Sequence, residues 1–247
     1  MRFRLLELNN LTLKRGRNPV LSGFSASAAA GEPVVLLGEN GCGKTSLLST
    51  IAGVLEGGGS ILLDGLAAEP QSDEWSSCLS YVPDDGGSLP LLTVSEQLHL
   101  QGYLSGLNEA SAAARAEELM ELFELESFSA YRGEELSAGL RKKLGIALGL
   151  VRSADIYLFD EPFSNLDLSA ASVLVDIMKI LRQRHRYMIV STHTPSILKD
   201  VCGKIWIMRD GKAVEKPAGA RLPAAFGSRL KPLGGSVSRL GWIGGDR

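Results

Sequence analysis

The stretch GENGCGKT, at positions 38–45, constrains the fold of this 247-residue chain more than any other. It follows a short run rich in valine and leucine, EPVVLLG, and it precedes the apolar segment KTSLLSTIAGVL. This order predicts a strand, a tight glycine-rich loop and a helix. The backbone N–H groups of such a loop, together with the helix N-terminus, form a cradle for phosphate oxygens. We therefore predict a nucleotide site at this loop.

The pattern G-x-x-x-x-G-K-[ST] gives a role to the polar residues of the loop. Lys44 is expected to reach the β and γ phosphates and to act in catalysis, and Thr45 is expected to offer its hydroxyl to Mg²⁺. A chance glycine-rich turn is the alternative, and the flanking strand and helix argue against it. The loop residues predicted to bind the nucleotide are Gly38, Glu39, Asn40, Gly41, Cys42, Gly43, Lys44, Thr45 and Ser46.

Two further buried strands with a helix between them predict a parallel sheet. The strands are IYLFD at 156–160 and RYMIVSTH at 186–193. The intervening DLSAASVLVDIMKILRQR is apolar at helical spacing. A strand-helix-strand unit with apolar strands is typical of a parallel sheet covered on both faces. The fold class is therefore predicted to be α/β.

The rest of the chain divides into three regions. Positions 5–31 and the stretch GSILLDG predict short antiparallel strands with turns. From about 92 to 151 the pattern is almost purely helical, which predicts a helical subdomain inserted into the order of strands. The tail 216–247 is rich in Gly, Pro and basic residues, so we expect partial disorder there, with a docking segment as the alternative. The domain itself is expected to span 1–215.

Charge and cysteine content limit the compartment and the partners. With 26 basic against 28 acidic residues the chain has no overall positive field, so no nucleic-acid partner is expected. Its three cysteines lie far apart in the sequence, which fits a reducing compartment. The sequence contains neither a long apolar leader nor an uninterrupted run of 18 apolar residues. We expect a cytoplasmic chain whose membrane role, if it has one, requires a partner chain.

Two adjacent carboxylates follow the strand IYLF. Asp160 at the end of a buried strand is expected to hold Mg²⁺ beside the phosphate loop, directly or through water. Glu161 is expected to polarise a water for in-line attack on the γ phosphate. The alternative is that these acids cap the next turn, and the phosphate loop elsewhere in the chain disfavours it.

The ordered set GENGCGKT, LSAGL, IYLFDEP, SNLD and STHT resembles the ATP-binding cassette ATPases over about residues 3–215. The resemblance implies a phosphate-loop α/β core with a parallel sheet, an antiparallel β subdomain and an inserted helical subdomain. It also implies that Glu161 is the catalytic base and that His193 lies near the γ phosphate. The loop 164–167 is implied to touch a partner subunit.

The function that the resemblance implies is ATP hydrolysis in a membrane transporter. The chain would be a cytoplasmic subunit at the inner face of the cell membrane, with the spans on a separate polytopic chain, and the short signature favours an exporter. Two such ATPase subunits would pair head to tail around two ATP molecules. Two alternatives stay open, namely a soluble cassette ATPase outside transport and an ATP-gated interaction protein with little turnover.

The turn LSAGL suggests how a second subunit would contribute. Ser137 can cap a helix that begins near Ala138, so the free N–H groups at the helix start present a positive dipole end to an anion. In the head-to-tail arrangement implied by the resemblance, Ser137, Ala138 and Gly139 close over the ATP of the opposing subunit. An ordinary capped helix is the alternative.

The sequence departs from the family pattern in three places. Ala138 and Leu140 replace a glycine and a glutamine of the usual signature. Asp84 stands where the family has a glutamine, and we predict it as a further Mg²⁺ ligand. The alternatives are that it weakens the alignment of the attacking water or alters signalling to the membrane partner. Arg15 stands where an aromatic residue usually stacks on adenine, and a guanidinium can stack in its place. A solvated arginine in a turn is the alternative.

Overall fold

The computed structural model describes residues 5–217 and 242–243. Its first unit is a four-stranded antiparallel sheet in the order β2-β1-β4-β5. A shift of register between Leu8 and Leu11, beside Asn10 with φ 53°, keeps both leucines buried although they are three residues apart. The strands are β1 Leu5–Arg15, β2 Asn18–Ala29, β4 Gly58–Leu63 and β5 Leu66–Ala68.

The second unit is a six-stranded sheet in the order β10-β9-β3-β8-β7-β6. Its strands from β9 to β6 are parallel, and β10 is an antiparallel edge strand. Because parallel strands end at one edge of the sheet, the segments that follow β3, β6, β7 and β8 meet there. The strands are β3 Val34–Leu37, β6 Leu79–Val82, β7 Ile156–Phe159, β8 Tyr187–Ser191, β9 Lys204–Arg209 and β10 Lys212–Pro217.

Helices cover both faces of the parallel sheet, and alternate residues of a strand enter two different cores. Ile156 and Leu158 pack with the antiparallel sheet, whereas Tyr157 and Phe159 pack with the inserted helices. The helices are α1 Lys44–Ile51, α2 Asp73–Cys78, α3 Val94–Leu104, α4 Glu109–Phe123, α5 Ala138–Val151 and α6 Leu168–Gln183.

The segment between β6 and β7 contains α3, α4 and α5, together with short 3-10 turns at Glu126–Phe128 and Gly133–Glu135. A capping box between Thr93 and Glu96 starts α3. The predicted fold class is confirmed, because the chain combines a parallel α/β core, an antiparallel β sheet and an inserted helical segment.

The hairpin of β9 and β10 was not among the sequence predictions. Its turn consists of Asp210 and Gly211, both with positive φ, of 51° and 69°. An Asp-Gly pair between alternating apolar residues is a strong hairpin signal, so the sequence contained the information. The hairpin ends at Pro217, two residues beyond the predicted domain boundary at 215.

Most of the predicted tail, residues 218–241 and 244–247, lies outside the described residues. Lys216 and Pro217 of the predicted tail belong to β10, and the two other described tail residues, Trp242 and Ile243, contact residues of or next to helices. Ile243 is 1% exposed and its carbonyl accepts a hydrogen bond at 2.6 Å from Arg184, the C-cap residue of α6. The Trp242 ring lies 4.6 Å from the Arg115 guanidinium of α4, and its indole N–H donates to Glu118. Across the ranges 5–217 and 242–243, no helix is long and apolar enough to span a bilayer.

Candidate functional site

The glycine-rich loop between β3 and α1 leaves the start of the helix open. Gly41 and Gly43 have φ of 77° and 107°, and a Cβ on Gly43 would lie 2.9 Å from Met208 Cε. Only glycine adopts such a backbone without strain. Gly43 is also the N-cap of α1, where no side chain forms a capping hydrogen bond. The first N–H groups of α1 are therefore available to an anion.

Lys44 lies between the loop and the acidic residues. Its side chain is buried, and Nζ donates to the carbonyl oxygens of Gly38 at 3.0 Å and Glu39 at 3.3 Å. Nζ also lies 3.5 Å from His193 Nε2 and 4.0 Å from Glu161 Oε1. A single ammonium group therefore connects the phosphate loop to the two residues predicted for hydrolysis.

Asp160 is fully buried at the end of β7 and is held by a residue that the sequence analysis missed. The Ser191 hydroxyl, at the end of the neighbouring strand β8, donates to Asp160 Oδ1 at 2.6 Å. The same hydroxyl accepts the N–H of Glu161 at 2.8 Å. Among the residues that the structure describes, Asp160 Oδ2 has no hydrogen-bond partner. Ser191 thus fixes one carboxylate oxygen and leaves the other free for a ligand.

Glu161 and His193 face each other across the strand ends. The His193 backbone N–H donates to Glu161 Oε2 at 3.1 Å, and His193 Nε2 lies 3.0 Å from Oε1. Burial raises the pKa of Glu161, while His193 and Lys44 act in the opposite direction. Glu161 also has φ 44°, a left-handed conformation that is common at functional sites. A carboxylate with a raised pKa is better suited to accept a proton near neutral pH.

These residues surround an open cavity of about 860 Å³. The structure brings six of the nine predicted loop residues to its walls, together with Arg15, Asp84, Glu161 and His193. Gly38, Glu39, Cys42 and the fully buried Asp160 do not line it. Asn18, Val20 and Asn165 also line the cavity and were not predicted. The complete set of lining residues comprises Arg15, Asn18, Val20, Asn40, Gly41, Gly43, Lys44, Thr45, Ser46, Asp84, Glu161, Ser164, Asn165 and His193.

The turn at 137–139 lies outside this cavity. Ser137 caps α5, and its hydroxyl accepts the N–H of Leu140 at 3.2 Å. Ser137 and Ala138 are exposed, and none of the three residues lines the cavity of their own chain. A Cβ on Gly139 would lie 2.9 Å from the Asn165 carbonyl oxygen, so the turn packs against the loop 164–167. The structure therefore does not join this turn to its own phosphate loop.

Asp84 is placed at the cavity, with one of its carboxylate oxygens engaged by protein groups. Lys142 Nζ lies 3.0 Å from Asp84 Oδ1 and also donates to the Asp84 carbonyl oxygen. The Ser164 hydroxyl donates to the same Oδ1 at 3.1 Å. The structure thus provides Asp84 with an ion pair that the sequence analysis did not foresee, and its role as a metal ligand stays a prediction.

Comparison with known proteins identifies the family. A family model described as ABC transporter matches residues 21–164, more than half of the chain. The ABC transporter ATP-binding protein NatA of Bacillus subtilis is 31% identical over 78% of this chain and 80% of its own length. The Nod factor export ATP-binding protein I of Paraburkholderia xenovorans is 28% identical over 89% of this chain and 73% of its own. A protein named for import, UgpC 1 of Rhizobium johnstonii, also matches.

A solved ATP-binding subunit of an ABC transporter has the same fold, with a TM-score of 0.78 at 26% identity over 86% of this chain and 90% of its own. The chain belongs to the ABC transporter family. It is an ATP-binding subunit with ATPase activity, as the phosphate loop and the Asp160–Glu161 pair predicted.

Proposed function

We propose that this chain hydrolyses ATP for an exporter and works as a head-to-tail pair with a second ATPase subunit. The pair would lie at the cytoplasmic face of the cell membrane, bound to a polytopic subunit encoded on a separate chain. The observation that carries the proposal is the position of the turn at 137–139, which is exposed and absent from the walls of its own cavity. A helix N-terminus can attract an anion, and one that does not line the cavity of its own chain suits a partner's site.

In this proposal the phosphates bind at the start of α1. The loop N–H groups and Lys44 hold them, because the helix start lacks a capping side chain and Lys44 Nζ lies within 4.0 Å of Glu161. Arg15, at the end of β1, lines the same cavity and is exposed, so its guanidinium can stack on the adenine.

The proposed water-activating group is Glu161. Burial raises the pKa of Glu161 although His193 and Lys44 oppose that shift, and the strand ends hold Glu161 next to Lys44. His193 orients Glu161 through the backbone N–H contact of 3.1 Å and presents its imidazole to the cavity. Removal of a positioned general base typically costs 10²–10⁴-fold in rate.

The residues present fit a magnesium ion. Asp160 Oδ2 is a buried carboxylate oxygen without a hydrogen-bond donor among the described residues, and the exposed Thr45 lines the cavity. Mg²⁺ is commonly bound by one or two such oxygens together with substrate phosphates. We therefore propose Thr45 and Asp160 as its ligands and leave out Asp84, whose Oδ1 is already engaged. The ion would neutralise charge that develops on the phosphate oxygens.

The direction of transport is proposed as export. The short signature without glutamine favours it, and the Nod factor relative is named for export, although a relative named for import also matches. ATP-stimulated accumulation of substrate in inverted membrane vesicles that contain the chain and its membrane partner would support export. Accumulation in right-side-out vesicles would contradict it.

Sedimentation of the Glu161→Gln variant tests the head-to-tail proposal. We expect this variant to be monomeric without nucleotide and dimeric with ATP, because unhydrolysed γ phosphate bridges the two chains. ADP lacks that group and should leave the protein monomeric. A second change, Ser137→Arg, should abolish the ATP dimer and leave ATP binding to the monomer intact.

Ser72 provides a matched control for this experiment. Its hydroxyl caps α2 by accepting the N–H of Trp75 at 3.1 Å, and it lies away from the cavity. Ser72→Arg should therefore leave the ATP-dependent dimer unchanged. A Ser137→Arg protein that still dimerises with ATP would identify the turn as a plain helix cap.

A further inference from the structure

Lys142 is a buried lysine that the proposed function does not use. It lies in the first half of α5, five residues after Ser137, and it is 2% exposed. Lysine is almost never fully buried unless it is paired. Its ammonium group lies 3.0 Å from Asp84 Oδ1 and also donates to the Asp84 carbonyl oxygen. The Asp84 side chain is 58% exposed, so the pair joins a buried residue of a helix to an exposed residue of the site.

The loop that follows β6 is pressed against the same helix. Gly86 has φ 83°, and a Cβ there would lie 2.5 Å from the Arg141 carbonyl oxygen. A Cβ on Gly145 would collide with the backbone of Gly86. The backbones of the loop and α5 therefore touch without intervening side chains. A displacement of α5 must displace this loop as well.

Asp84 also contacts the loop after Glu161. The Ser164 hydroxyl lies 3.1 Å from Asp84 Oδ1 and 2.8 Å from the Glu161 carbonyl oxygen, and the two acceptors share its single proton. The next lysine of α5, Lys143, lies 2.8 Å from Asp167 Oδ2 at the other end of that loop. Two consecutive lysines thus fix α5 to the segment 164–167, one through Asp84 and one directly.

We propose that Lys142 is a positioning residue that holds Asp84 against Ser164 and so makes the turn at 137–139 and the loop 164–167 move as one unit. This inference rests on the proposed head-to-tail pair, in which both segments face the partner. It places Asp84 in a protein ion pair instead of on the metal. ATP binding to one chain would not need Lys142, which does not line the cavity, whereas closure of the pair would need both residues.

A double-mutant cycle in the Glu161→Gln background tests the proposal. The variants are Lys142→Gln, Asp84→Asn and the combination, and the measured quantities are the dissociation constant of the ATP dimer and that of ATP from the monomer. Each single change should weaken the dimer about 10- to 150-fold, the range for one hydrogen bond to a charged group. The dimer of the double variant should be no weaker than the weaker of the two single-variant dimers, because all three variants lose the same interaction. Lys142 does not line the cavity, so Lys142→Gln should leave the affinity of the monomer for ATP unchanged.

Lys179→Gln is the matched control. Lys179 pairs with Asp176 at 2.8 Å on α6, and it does not line the cavity. Its replacement by glutamine removes one positive charge, as Lys142→Gln does. This variant should dimerise like the parent. In enzymes that retain Glu161, Lys142→Gln should lower kcat and leave KM for ATP unchanged, which separates positioning from nucleotide binding.

Two results would overturn the inference. A Lys142→Gln dimer as stable as the parent dimer would show that Lys142 has no positioning role. If the losses of dimer affinity in the two single variants add up in the double variant, Asp84 acts separately from Lys142, as a metal ligand would. If Lys142→Gln does not fold, the dimer affinity of Asp84→Asn, at the exposed end of the pair, still tests the proposal.

A parent protein that stays monomeric with ATP instead refutes the head-to-tail pair. In that case, hydrogen exchange of the Gly86 and Gly87 amides still tests the tether, since Lys142→Gln should accelerate it in the monomer.

Discussion

Ser191 should be the most costly small polar residue to remove near the strand ends. Its hydroxyl donates to the buried Asp160 carboxylate at 2.6 Å and accepts the Glu161 N–H at 2.8 Å. Hydrogen bonds to charged groups contribute about 1.5–3 kcal/mol and neutral ones about 0.5–1.5 kcal/mol. Ser191→Ala removes one of each kind, so we expect the free energy of unfolding to fall by roughly 2–4.5 kcal/mol.

Ser80 provides a reference residue with which the effect of Ser191→Ala can be compared. It lies in β6, 4% exposed, and its hydroxyl donates to the Gly149 carbonyl oxygen at 2.6 Å. Ser80→Ala loses one neutral hydrogen bond in a similarly buried place, so it should cost about 1 kcal/mol. Urea unfolding of both variants and the parent, at equal m values, measures the difference.

The two serines should also differ in their effect on nucleotide binding. Ser191→Ala frees the Asp160 carboxylate to rotate, so affinity for ATP with Mg²⁺ should fall more than affinity for ATP without the metal. Ser80→Ala should change neither. If Ser191→Ala costs no more stability than Ser80→Ala, the argument that Ser191 fixes Asp160 is wrong.

Three further predictions concern separate residues. Glu161→Gln should keep ATP binding and lower turnover by about 100-fold or more, as measured by phosphate release, and unchanged turnover would reject its role as the base. Alkylation of Cys42, in the phosphate loop, should block ATPase activity, and ATP should slow the labelling; equal labelling rates with and without nucleotide would place the thiol outside the site. The hydrogen bond from the Thr93 N–H lowers the pKa of Glu96 below its ordinary value of 4.5. The ionised carboxylate therefore stabilises the folded state above pH 4.5, and this stabilisation is lost as the pH falls through the lowered pKa. The melting temperature of Glu96→Gln should therefore approach that of the parent as the pH falls below 4.5, and a gap that stays constant with pH would contradict the capping-box assignment.

The chemistry of the phosphate loop was predictable because its determinants are local. The strand, the glycines and the helix start follow one another along the chain, and the structure gives Gly41 and Gly43 the positive φ that such a loop requires. The sequence predicts a helix over KTSLLSTIAGVL, and the observed helix α1 is shorter. It ends at Ile51 because Gly53, with φ 77°, turns the chain and Leu55 N–H bonds back to the Ser49 carbonyl.

Contacts between distant segments were not predictable in the same way. Ser191 reaches Asp160 only because β7 and β8 are neighbours in the sheet, and strand order does not follow from the pattern of one strand. Lys142 and Asp84 are 58 residues apart, and a basic residue in an amphipathic helix normally indicates a solvated face. The burial of Lys142 arises from the close approach of Gly86 to the helix, which no local propensity encodes.

ATPase activity of a mixture of two defective subunits tests the head-to-tail pair most directly. Lys44→Ala impairs the phosphate loop and leaves the turn at 137–139 intact, whereas Ser137→Arg impairs the turn and leaves the loop intact. In a head-to-tail pair of the two variants, one site receives an intact loop from one chain and an intact turn from the other. We therefore expect the mixture to hydrolyse ATP faster than the sum of the separate variants. A mixture with no more activity than that sum would show that each chain completes its own site, and it would contradict the proposal.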